Sequence, residues 1–279
     1  MKKRVLICSN PDRDIGFMTA ERIERILDGK AECSIVPINY GGRDDAVKMR
    51  DDMEKSDLVV AIGGDGSIMH AARAAAPSGT PLIGVNRGNK GFLADLDDTN
   101  LDMIENAVEG RFSIDRRMML DVSVIRDGER IYYDYAINDA AISGLSRMVE
   151  VSVYGDGVKI ASFSGDGVII ASPTGSTAYS MSAGGPIVEP GAKNIVITPI
   201  CSHALIAKPF VLSGERVVTA KSDSLARVSA YLAVDGGEGV KLRSNDIIEV
   251  KRSAYTADFI KVTGKTFYET VMEKLGERT

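Results

Sequence analysis

The sequence predicts an α/β domain with a Rossmann-like parallel sheet, followed by a β-rich domain that resembles a β-sandwich. In the first hundred residues, short apolar runs alternate with amphipathic stretches of helical length. This alternation is typical of a parallel sheet covered by helices on both faces. From residue 119 onward, alternating polar and apolar residues surround Asp-Gly pairs, which indicates antiparallel hairpins.

The first domain is predicted to contain four strands and three helices before residue 86. Each predicted strand is an apolar run closed by turn residues or glycine, and each predicted helix has apolar residues at helical spacing. The elements are strand 5–8, helix 15–27, strand 34–38, helix 44–56, strand 58–62, helix 68–76 and strand 82–85.

The second domain is predicted from its hairpin patterns. The segment LDVSVIRDGERIYYDYAIND alternates around Asp127-Gly128, and a second hairpin turn is predicted at Asp156-Gly157. Further strands are predicted from the apolar runs 194–199, 216–220, 226–234 and 247–251. An amphipathic stretch at 267–275 predicts a final helix.

Composition and charge exclude several classes of protein. The 279-residue chain has a net charge of −5, so we expect neither nucleic acid nor an anionic membrane as a partner. The three cysteines form no CxxC pair, which argues against a disulfide framework or a zinc site and for a reducing compartment. The apolar run near the N-terminus is too short for a signal peptide, and no stretch could span a bilayer. We therefore expect a cytoplasmic protein.

A glycine-rich loop, Gly63-Gly64-Asp65-Gly66-Ser67, follows the third predicted strand. Ligands of parallel sheets bind beyond the carboxyl ends of the strands, and glycines followed by a helix N-terminus favour a phosphate. A carboxylate repels phosphate, so Asp65 suits a hydroxyl group or a magnesium ion, unless it only caps the helix. The loop is neither a Walker loop nor a GxGxxG motif, which disfavours an NTPase and a Rossmann dehydrogenase.

A second polar segment lies in the β-rich domain. Gly165-Asp166-Gly167 is soon followed by SPTGSTAYSMSAGGP at 172–186, a stretch rich in hydroxyl groups and glycine. Backbone N–H groups and small donors of this kind suit a nucleobase with its ribose. A Gly/Ser-rich surface loop is the alternative. The similar triplet Gly155-Asp156-Gly157 is interpreted as a hairpin turn.

Together these motifs resemble the NAD kinase family over nearly the whole chain. The matching segments are GGDG at 63–66, Asn86-Arg87-Gly88 with Gly91-Phe92-Leu93, Asn138-Asp139, Gly165-Asp166-Gly167 and 172–186. GGDG alone also resembles lipid kinases and phosphofructokinases, but its combination with TGSTAY at this separation is highly specific. The resemblance implies transfer of a phosphoryl group from ATP, or from polyphosphate, to the 2′-hydroxyl of the adenosine ribose of NAD. It also implies a divalent metal ion, Mg²⁺.

The resemblance further implies how the domains and subunits are arranged. Residues 1–116 with 252–279 are expected to form the α/β phosphoryl-donor and catalytic domain, to which the C-terminal segment returns. Residues 117–251 are expected to form the β-rich NAD-binding domain. Homodimers or homotetramers are expected, with subunit contacts that help to build the site.

The resemblance also implies a set of site residues. Asp65, within the phosphate loop 63–67, is implied to be the base that acts on the 2′-hydroxyl. Asn138 and Asp139 are implied to hold the adenosine and ribose groups, and Asp166 to bind an amide or amino group of NAD. The other implied NAD contacts are Gly66, His70, Phe92, Thr174, Thr177, Ala178, Tyr179, Ser180, Met181, Ser182, Cys201 and Gly236. His70 has an alternative interpretation as an ordinary helix-surface histidine, and the metal ligands stay unassigned.

The chain departs from the family pattern at three positions. Asp139 stands where glutamate is usual, and Ser67 stands where threonine is common. Ser164 replaces a frequent arginine, which puts in doubt a phosphate contact and the preference between NAD and NADH. Two other functions stay open: a lipid kinase, for which the sequence supplies no membrane-binding face, and a non-catalytic NAD-binding sensor, which only the shorter Asp139 supports.

Overall fold

The chain forms two compact units. The computed structural model describes residues 2–38, 43–88, 91–145, 147–202, 207–222 and 229–276. The first unit comprises Met1–Arg116 with Tyr255–Thr279, and the second comprises Arg117–Ala254. The sequence predicts these boundaries at residues 116 and 251.

The described residues form short helices and a larger number of strands. The helices are α1 (Met18–Ile26), α2 (Arg43–Glu54), α3 (Asp65–Ala75), α4 (Ile104–Glu109), α5 (Tyr179–Ser182) and α6 (Phe267–Gly276). The strands are β1 (Lys3–Ser9), β2 (Ala31–Pro37), β3 (Leu58–Gly63), β4 (Leu82–Asn86), β5 (Ser113–Arg126), β6 (Glu129–Ala136), β7 (Asp139–Gly144), β8 (Val149–Gly155), β9 (Val158–Gly165), β10 (Gly167–Ala171), β11 (Asn194–Ile200), β12 (Phe210–Ser213), β13 (Val218–Lys221), β14 (Ala230–Val234), β15 (Val240–Lys241) and β16 (Ile247–Lys261). The start of the predicted strand 226–234 lies outside the described residues.

The first unit contains the predicted parallel sheet, with the strand order β2-β1-β3-β4. The last part of β16 pairs in parallel with β4, where Phe259 lies opposite Leu82. Strand β3 is buried along its whole length, as its continuous apolar sequence predicts for a strand covered on both faces. The return of the C-terminal segment to this unit is therefore confirmed.

Two helices of the first unit begin at residues that the apolar pattern does not reveal. Gly16 and Phe17 have φ angles of 64° and 58°, so α1 begins three residues later than predicted. The Asp14 carboxylate accepts hydrogen bonds from the first-turn amides of Thr19 and Ala20 at 2.8 and 3.1 Å. Burial by itself raises the pKa of Asp14, but hydrogen bonds outweigh it and hold that pKa below its ordinary value. Helix α3 begins three residues earlier than predicted, which brings the loop aspartate into its first turn.

The second unit is built from antiparallel strands, as predicted. One sheet has the order β12-β11-β10-β7-β14-β15, and β13 pairs with β8 and with the first part of β16. Alternating side chains from both groups of strands form one buried core, among them Val151, Ile170, Ile197 and Val218. This arrangement is that of a β-sandwich.

The two predicted hairpin turns are confirmed. Asp127 and Gly128 join β5 to β6 with φ angles of 52° and 86°. Asp156 and Gly157 join β8 to β9 with φ angles of 49° and 80°. Positive φ at both central residues is the geometry of a type I′ turn, which favours the Asp-Gly pair.

Among the described helices, none is long and apolar enough to cross a membrane. The longest of them, α2, has 12 residues, and most of these are polar or charged. A helix that spans the hydrocarbon core needs about 20 predominantly apolar residues.

Candidate active site

The loops that follow β1, β3 and β4 are hydrogen-bonded to one another at the carboxyl edge of the first unit's sheet. The Asn10 amide N–H donates to the Ile62 carbonyl at 3.0 Å, and Asn10 Nδ2 donates to Ser67 Oγ at 2.8 Å. The Arg87 N–H donates to the Gly63 carbonyl at 2.9 Å. The predicted phosphate loop is therefore held in place by both neighbouring loops.

The glycines of this loop have different roles. Gly63 has a φ of 154°, and a Cβ there would lie 2.6 Å from Cβ of Ser67, so the fold itself requires glycine. Gly64 is the N-cap of α3. Gly66 is exposed, and a Cβ there would meet no atom within 4 Å. The protein's own packing therefore does not require a glycine at position 66, and the space beside it is open.

Asp65 points away from its own helix and binds a second loop. Its Oδ2 accepts a hydrogen bond from the Phe92 amide at 2.7 Å, and its Oδ1 accepts one from the Leu93 amide at 3.2 Å. A Cβ on Gly91 would lie 1.7 Å from Asp65 Oδ1, so this contact depends on glycine. The Asp65 side chain keeps 34% of its surface exposed. The helix-cap alternative is wrong, and the carboxylate is accessible.

The C-terminal helix brings further side chains to this carboxylate. Lys274 Nζ lies 4.0 Å from Asp65 Oδ2 and 4.0 Å from the centroid of the Phe92 ring. The Phe267 ring centroid is 6.4 Å from that of Phe92. Neither Lys274 nor Phe267 was predicted, because the amphipathic pattern of 267–275 predicts a helix but not its neighbours.

His70 lies one turn into α3 and is half-buried. Burial lowers its pKa below the ordinary value, and the positive charges of Arg73 and Arg50 lower it further. The imidazole is therefore neutral at neutral pH and adds no positive charge to the loop. Its contact with a nucleotide stays a prediction.

In the second unit, Asp235 fixes the Asn138-Asp139 pair. Its Oδ1 accepts hydrogen bonds from the amides of Asn138 and Asp139 at 2.8 and 3.0 Å, and its Oδ2 accepts one from Ile137 at 2.8 Å. The Asp235 amide donates to the Asp139 carbonyl at 2.9 Å. Asp235 and Gly236 have φ angles of 49° and 69°. Gly236 was predicted as a site residue, whereas the Asp235 carboxylate was missed because its partners are 96 to 98 residues away.

The segment 172–175 holds the same pair from the other side. The Ser172 amide donates to the Asn138 carbonyl at 2.8 Å, and the Ser172 hydroxyl donates to the Ile137 carbonyl. A Cβ on Gly175 would lie 2.1 Å from the Asn138 carbonyl oxygen, so only glycine fits. The backbone of Asn138 is thus fixed on both sides.

Asp139 is a buried carboxyl group. Burial raises its pKa to about 7, with a smaller contribution from the negative charge of Asp235. Asp139 therefore changes its charge near neutral pH.

The hydroxyl-rich segment divides into inward and outward side chains. Arg117 donates to Thr174 Oγ1 at 3.4 Å, and both residues are buried. The hydroxyls of Ser180 and Thr198 are 2.8 Å apart, and both residues are completely buried. These side chains stabilise the segment, so a ligand would meet the backbone there. Tyr179 is exposed, and the remaining predicted residues of the segment are half-buried or exposed: Thr177, Ala178, Met181 and Ser182.

Several predicted residues of the second unit lie close together. The Cys201 thiol donates to the Asp166 carboxylate, and this hydrogen bond raises the pKa of Cys201. Although Tyr179 is exposed, partial burial raises its pKa, and the nearby Cys201, Asp139 and Asp166 raise it further. Gly167, which follows Asp166, packs closely against β7, since a Cβ there would lie 2.0 Å from the Ile142 carbonyl oxygen.

A cavity of about 960 Å³ opens beside this group and is lined by Asp166 and Tyr179. Its volume is in the range of small-molecule sites. Ser143, Leu145, Arg147 and Met148 also line it. These four residues were not predicted from the sequence. An arginine in a short connection between two strands, such as Arg147, could have indicated a binding site there.

The fold and these two groups of residues define a nucleotide-binding phosphotransferase. One unit has an accessible carboxylate at a glycine-rich loop, and the other has a cavity of about 960 Å³ lined by both polar and apolar side chains.

The comparisons with known proteins agree with this class. Residues 5–112 match the ATP-NAD kinase N-terminal domain, and residues 140–262 match the ATP-NAD kinase C-terminal domain. A NAD kinase from Acetivibrio thermocellus is 37% identical over 249 residues, which cover 88% of this chain and 86% of the relative. A NAD kinase from Caldanaerobacter subterraneus subsp. tengcongensis is 36% identical over 275 residues, or 96% of each chain. The chain belongs to the NAD kinase family.

Two solved structures have a similar fold. Yeast NADH kinase complexed with NADH has a TM-score of 0.81 at 25% identity and covers 99% of this chain and 88% of its own. An NAD kinase from Archaeoglobus fulgidus in complex with ATP has a TM-score of 0.76 at 25% identity and covers 98% of both chains. The predicted fold class is confirmed.

Proposed function

We propose that this protein is a NAD kinase that transfers a phosphoryl group from ATP to the 2′-hydroxyl of the adenosine ribose of NAD, giving NADP. Its family membership and the similarity to a kinase solved with ATP support this activity. The single observation that carries the mechanism is the Asp65 carboxylate, exposed at the glycine loop and oriented by two backbone amides.

In the proposed reaction, Asp65 is the general base. A carboxylate oxygen accepts the proton of the 2′-hydroxyl while the hydroxyl oxygen attacks the γ-phosphorus of ATP. The new O–P bond forms as the bond between the γ-phosphorus and the β–γ bridging oxygen breaks, and ADP leaves with that electron pair. Asp65 then releases the proton to solvent. Because the amides of Phe92 and Leu93 fix the carboxylate, the base is oriented before the substrates bind.

We assign NAD recognition to the second unit. Asn138 and Asp139 are proposed to bind the adenosine and ribose groups, since Asp235 and the 172–175 segment fix their backbone. Asp166 is proposed to accept a hydrogen bond from an amide or amino group of NAD, because it lines the cavity together with an exposed tyrosine.

We propose that Mg²⁺ accompanies the phosphoryl donor. In such sites Mg²⁺ is usually bound by one or two carboxylates together with substrate phosphates and waters. Among the described residues, no group of three or more His, Cys, Asp or Glu side chains could hold a metal ion. Asp65 is accessible beside the loop that suits phosphate, so it would hold this ion in the alternative to its role as a base. When bound, the ion would neutralise part of the negative charge of the phosphates.

The donor, the assembly and the compartment need separate measurements. Polyphosphate is a second candidate donor, to be compared with ATP in the same assay. A homodimer or homotetramer is expected from the family resemblance, and light scattering of the purified protein distinguishes them. A cytoplasmic location is expected from the sequence, and fractionation of the source cells tests it.

The deciding experiment is an assay for NADP formation. Purified protein is incubated with NAD, ATP and Mg²⁺, and the product is detected with a dehydrogenase that reduces only NADP. Time-dependent NADP formation is expected. Binding of NAD without turnover would support the sensor alternative, and phosphorylation of diacylglycerol in vesicles without NADP formation would support the lipid kinase alternative.

A further inference from the structure

We propose that Lys274 is a catalytic residue whose ammonium group contacts the phosphoryl group in transit. This inference rests on the proposed NAD kinase activity. It assigns a new residue to the reaction, because the glycine loop itself contains no lysine. In Walker loops a lysine within the loop contacts the donor phosphates.

The position of Lys274 relative to the base supports this role. Its Nζ lies 4.0 Å from Asp65 Oδ2. A base and the hydroxyl that it deprotonates lie about 3 Å apart, and the attacking oxygen is about 3 Å from the reacting phosphorus. The phosphoryl group must therefore pass close to Asp65, within reach of a cation at this distance.

The hydrogen bonds of Asp65 leave the ammonium group available to a ligand. Each carboxylate oxygen already accepts a backbone amide, at 2.7 and 3.2 Å. The contact with Lys274, at 4.0 Å, is longer than a hydrogen bond. The Phe92 ring, 4.0 Å from Nζ, attracts the cation without using its three N–H donors. The lysine is thus held near the base with donors left for phosphate oxygens.

The helix that carries Lys274 is fixed in the first unit. Asp95 is buried and accepts hydrogen bonds from the amides of Val262 and Thr263 at 2.7 and 3.1 Å. Helix α6 then begins with a capping box, in which Glu269 accepts the Thr266 amide and Thr266 Oγ1 accepts the Glu269 amide. The position of Lys274 is therefore set by the chain around it rather than by its own ion pair alone.

The charge at the loop also calls for a cation. Asp65 is negative when it acts as a base, and the donor phosphates are negative as well. His70 does not compensate, because its pKa is lowered by burial. Phosphoryl transfer depends on stabilising charge that spreads over the equatorial oxygens of the transferring group. Lys274 supplies a fixed positive charge at this place.

The test compares Lys274→Met and Lys274→Arg with Lys265→Met. Lys265 lies in the same segment and pairs with Glu273 at 2.7 Å, so it is a matched control for the loss of one lysine and one ion pair. We would measure kcat and the KM values for ATP and NAD at saturating Mg²⁺, the melting temperature, and ATP binding by calorimetry. The calorimetry needs no turnover, so it tests Lys274 even if the wild-type protein forms no NADP.

Lys274→Met is expected to lower kcat/KM for ATP about 10²-fold, the order observed when one transition-state donor is removed. It should also weaken ATP binding, with KM for NAD and the melting temperature nearly unchanged. Lys274→Arg should recover part of the rate, and Lys265→Met should behave like wild type. Wild-type ATP binding and turnover in Lys274→Met, or an equal loss in Lys265→Met, would overturn the proposal. Absence of NADP formation by the wild type would instead count against the proposed function.

Discussion

Asp65 and Asp235 both follow a strand and both bind backbone amides of a distant segment, yet their surroundings differ. Asp65 binds the amides of residues 27 and 28 positions later in the chain, and a cation lies beside it. Asp235 binds three consecutive amides at the start of β7 and forms a left-handed turn with Gly236. Hydrogen bonding to amides therefore does not by itself distinguish a chemical role from a positioning role.

What separates the two aspartates is the segment that each one holds. Two of the three amides bound by Asp235 belong to the pair that is proposed to bind NAD, so its effect on a ligand passes through Asn138 and Asp139. Asp65 binds the amides of Phe92 and Leu93, but its own carboxylate is accessible, with 34% of the side chain exposed. We accordingly expect substitution of Asp65 to change the rate of catalysis, and substitution of Asp235 to change stability and NAD affinity.

The largest expected effect is that of Asp65→Asn. The amide retains the shape of the side chain but cannot accept the hydroxyl proton, so kcat should fall by about 10²–10⁴-fold. The melting temperature and the affinity for NAD without donor should change little. Steady-state turnover assays would measure kcat, and calorimetry would measure the melting temperature and the affinity for NAD.

Gly91→Ala is a companion to this variant, since its Cβ would collide with Asp65 Oδ1 while the carboxylate stays present. We expect a smaller loss of kcat, because the base is displaced rather than removed. Full activity of Asp65→Asn would exclude the chemical role. Partial recovery of Asp65→Asn at high magnesium would instead indicate that Asp65 mainly holds the metal.

Asp235→Asn should act on stability and NAD binding. The asparagine has one acceptor oxygen in place of two, so at least one amide among residues 137–139 loses its partner, at a cost of about 1–3 kcal/mol. The free energy of unfolding should fall, and KM for NAD should rise while kcat changes less. Denaturant unfolding and steady-state kinetics would measure these effects.

Asp156→Asn is the control for this prediction, because Asp156 also precedes a glycine and has positive φ, but lies in an exposed hairpin turn. It accepts the Val217 amide at 2.9 Å, and Val217 is not one of the proposed NAD contacts. Equal increases of KM for NAD in both variants would contradict a positioning role for Asp235.

Asp139→Asn should change the pH dependence of stability. The pKa of Asp139 is raised by burial from 3.8 to about 7, so between these values the unfolded chain loses a proton that the folded chain retains. The wild-type contribution to stability is therefore full below pH 4 and is lost as the pH rises to about 7. Asparagine has no such proton, so the melting temperature of the variant relative to wild type should rise across this window.

Scanning calorimetry from pH 4 to 8 without NAD would measure the difference. A difference in melting temperature that is constant across this range would show that the carboxyl group titrates like an exposed one.

The smallest effect is expected for Ser164→Arg. Ser164 is exposed, and its carbonyl accepts a hydrogen bond from Ser202 Oγ at 3.2 Å, so a larger side chain should not disturb the fold. Restoring the arginine that is frequent in the family should change the ratio of kcat/KM for NAD to that for NADH by a few-fold. Identical ratios of kcat/KM for NAD to kcat/KM for NADH in the two proteins would contradict this interpretation of Ser164.

Local sequence patterns were sufficient to predict those elements whose structure depends mainly on their own residues. Strand β3 is a continuous apolar run, and the turns at 127–128 and 156–157 are Asp-Gly pairs, so both could be predicted from a few neighbouring residues. Strand β16 was predicted only as 247–251, because polar residues interrupt the apolar pattern in its second half. Helix α4, with six residues, was too short to be noticed.

The site was predicted from motifs, and its supporting contacts were not. Asp65, Asn138 and Asp166 belong to recognisable motifs, but the partners that orient them come from distant parts of the chain. Asp235 binds amides that are 96 to 98 residues away in the sequence. Lys274 belongs to the C-terminal part of the first unit, far in sequence from Asp65. No local pattern encodes such pairs, because each depends on which strands become neighbours.

The interrupted first unit has a consequence for synthesis on the ribosome. Residues 117–254 are translated between the two parts of this unit. Until the last 25 residues emerge, β4 lacks the pairing at Phe259, and buried Asp95 lacks the amides of Val262 and Thr263. Because domains fold as units during translation, the growing chain can complete the second unit before the first. The first unit therefore becomes complete only after the whole of the second unit has been synthesised.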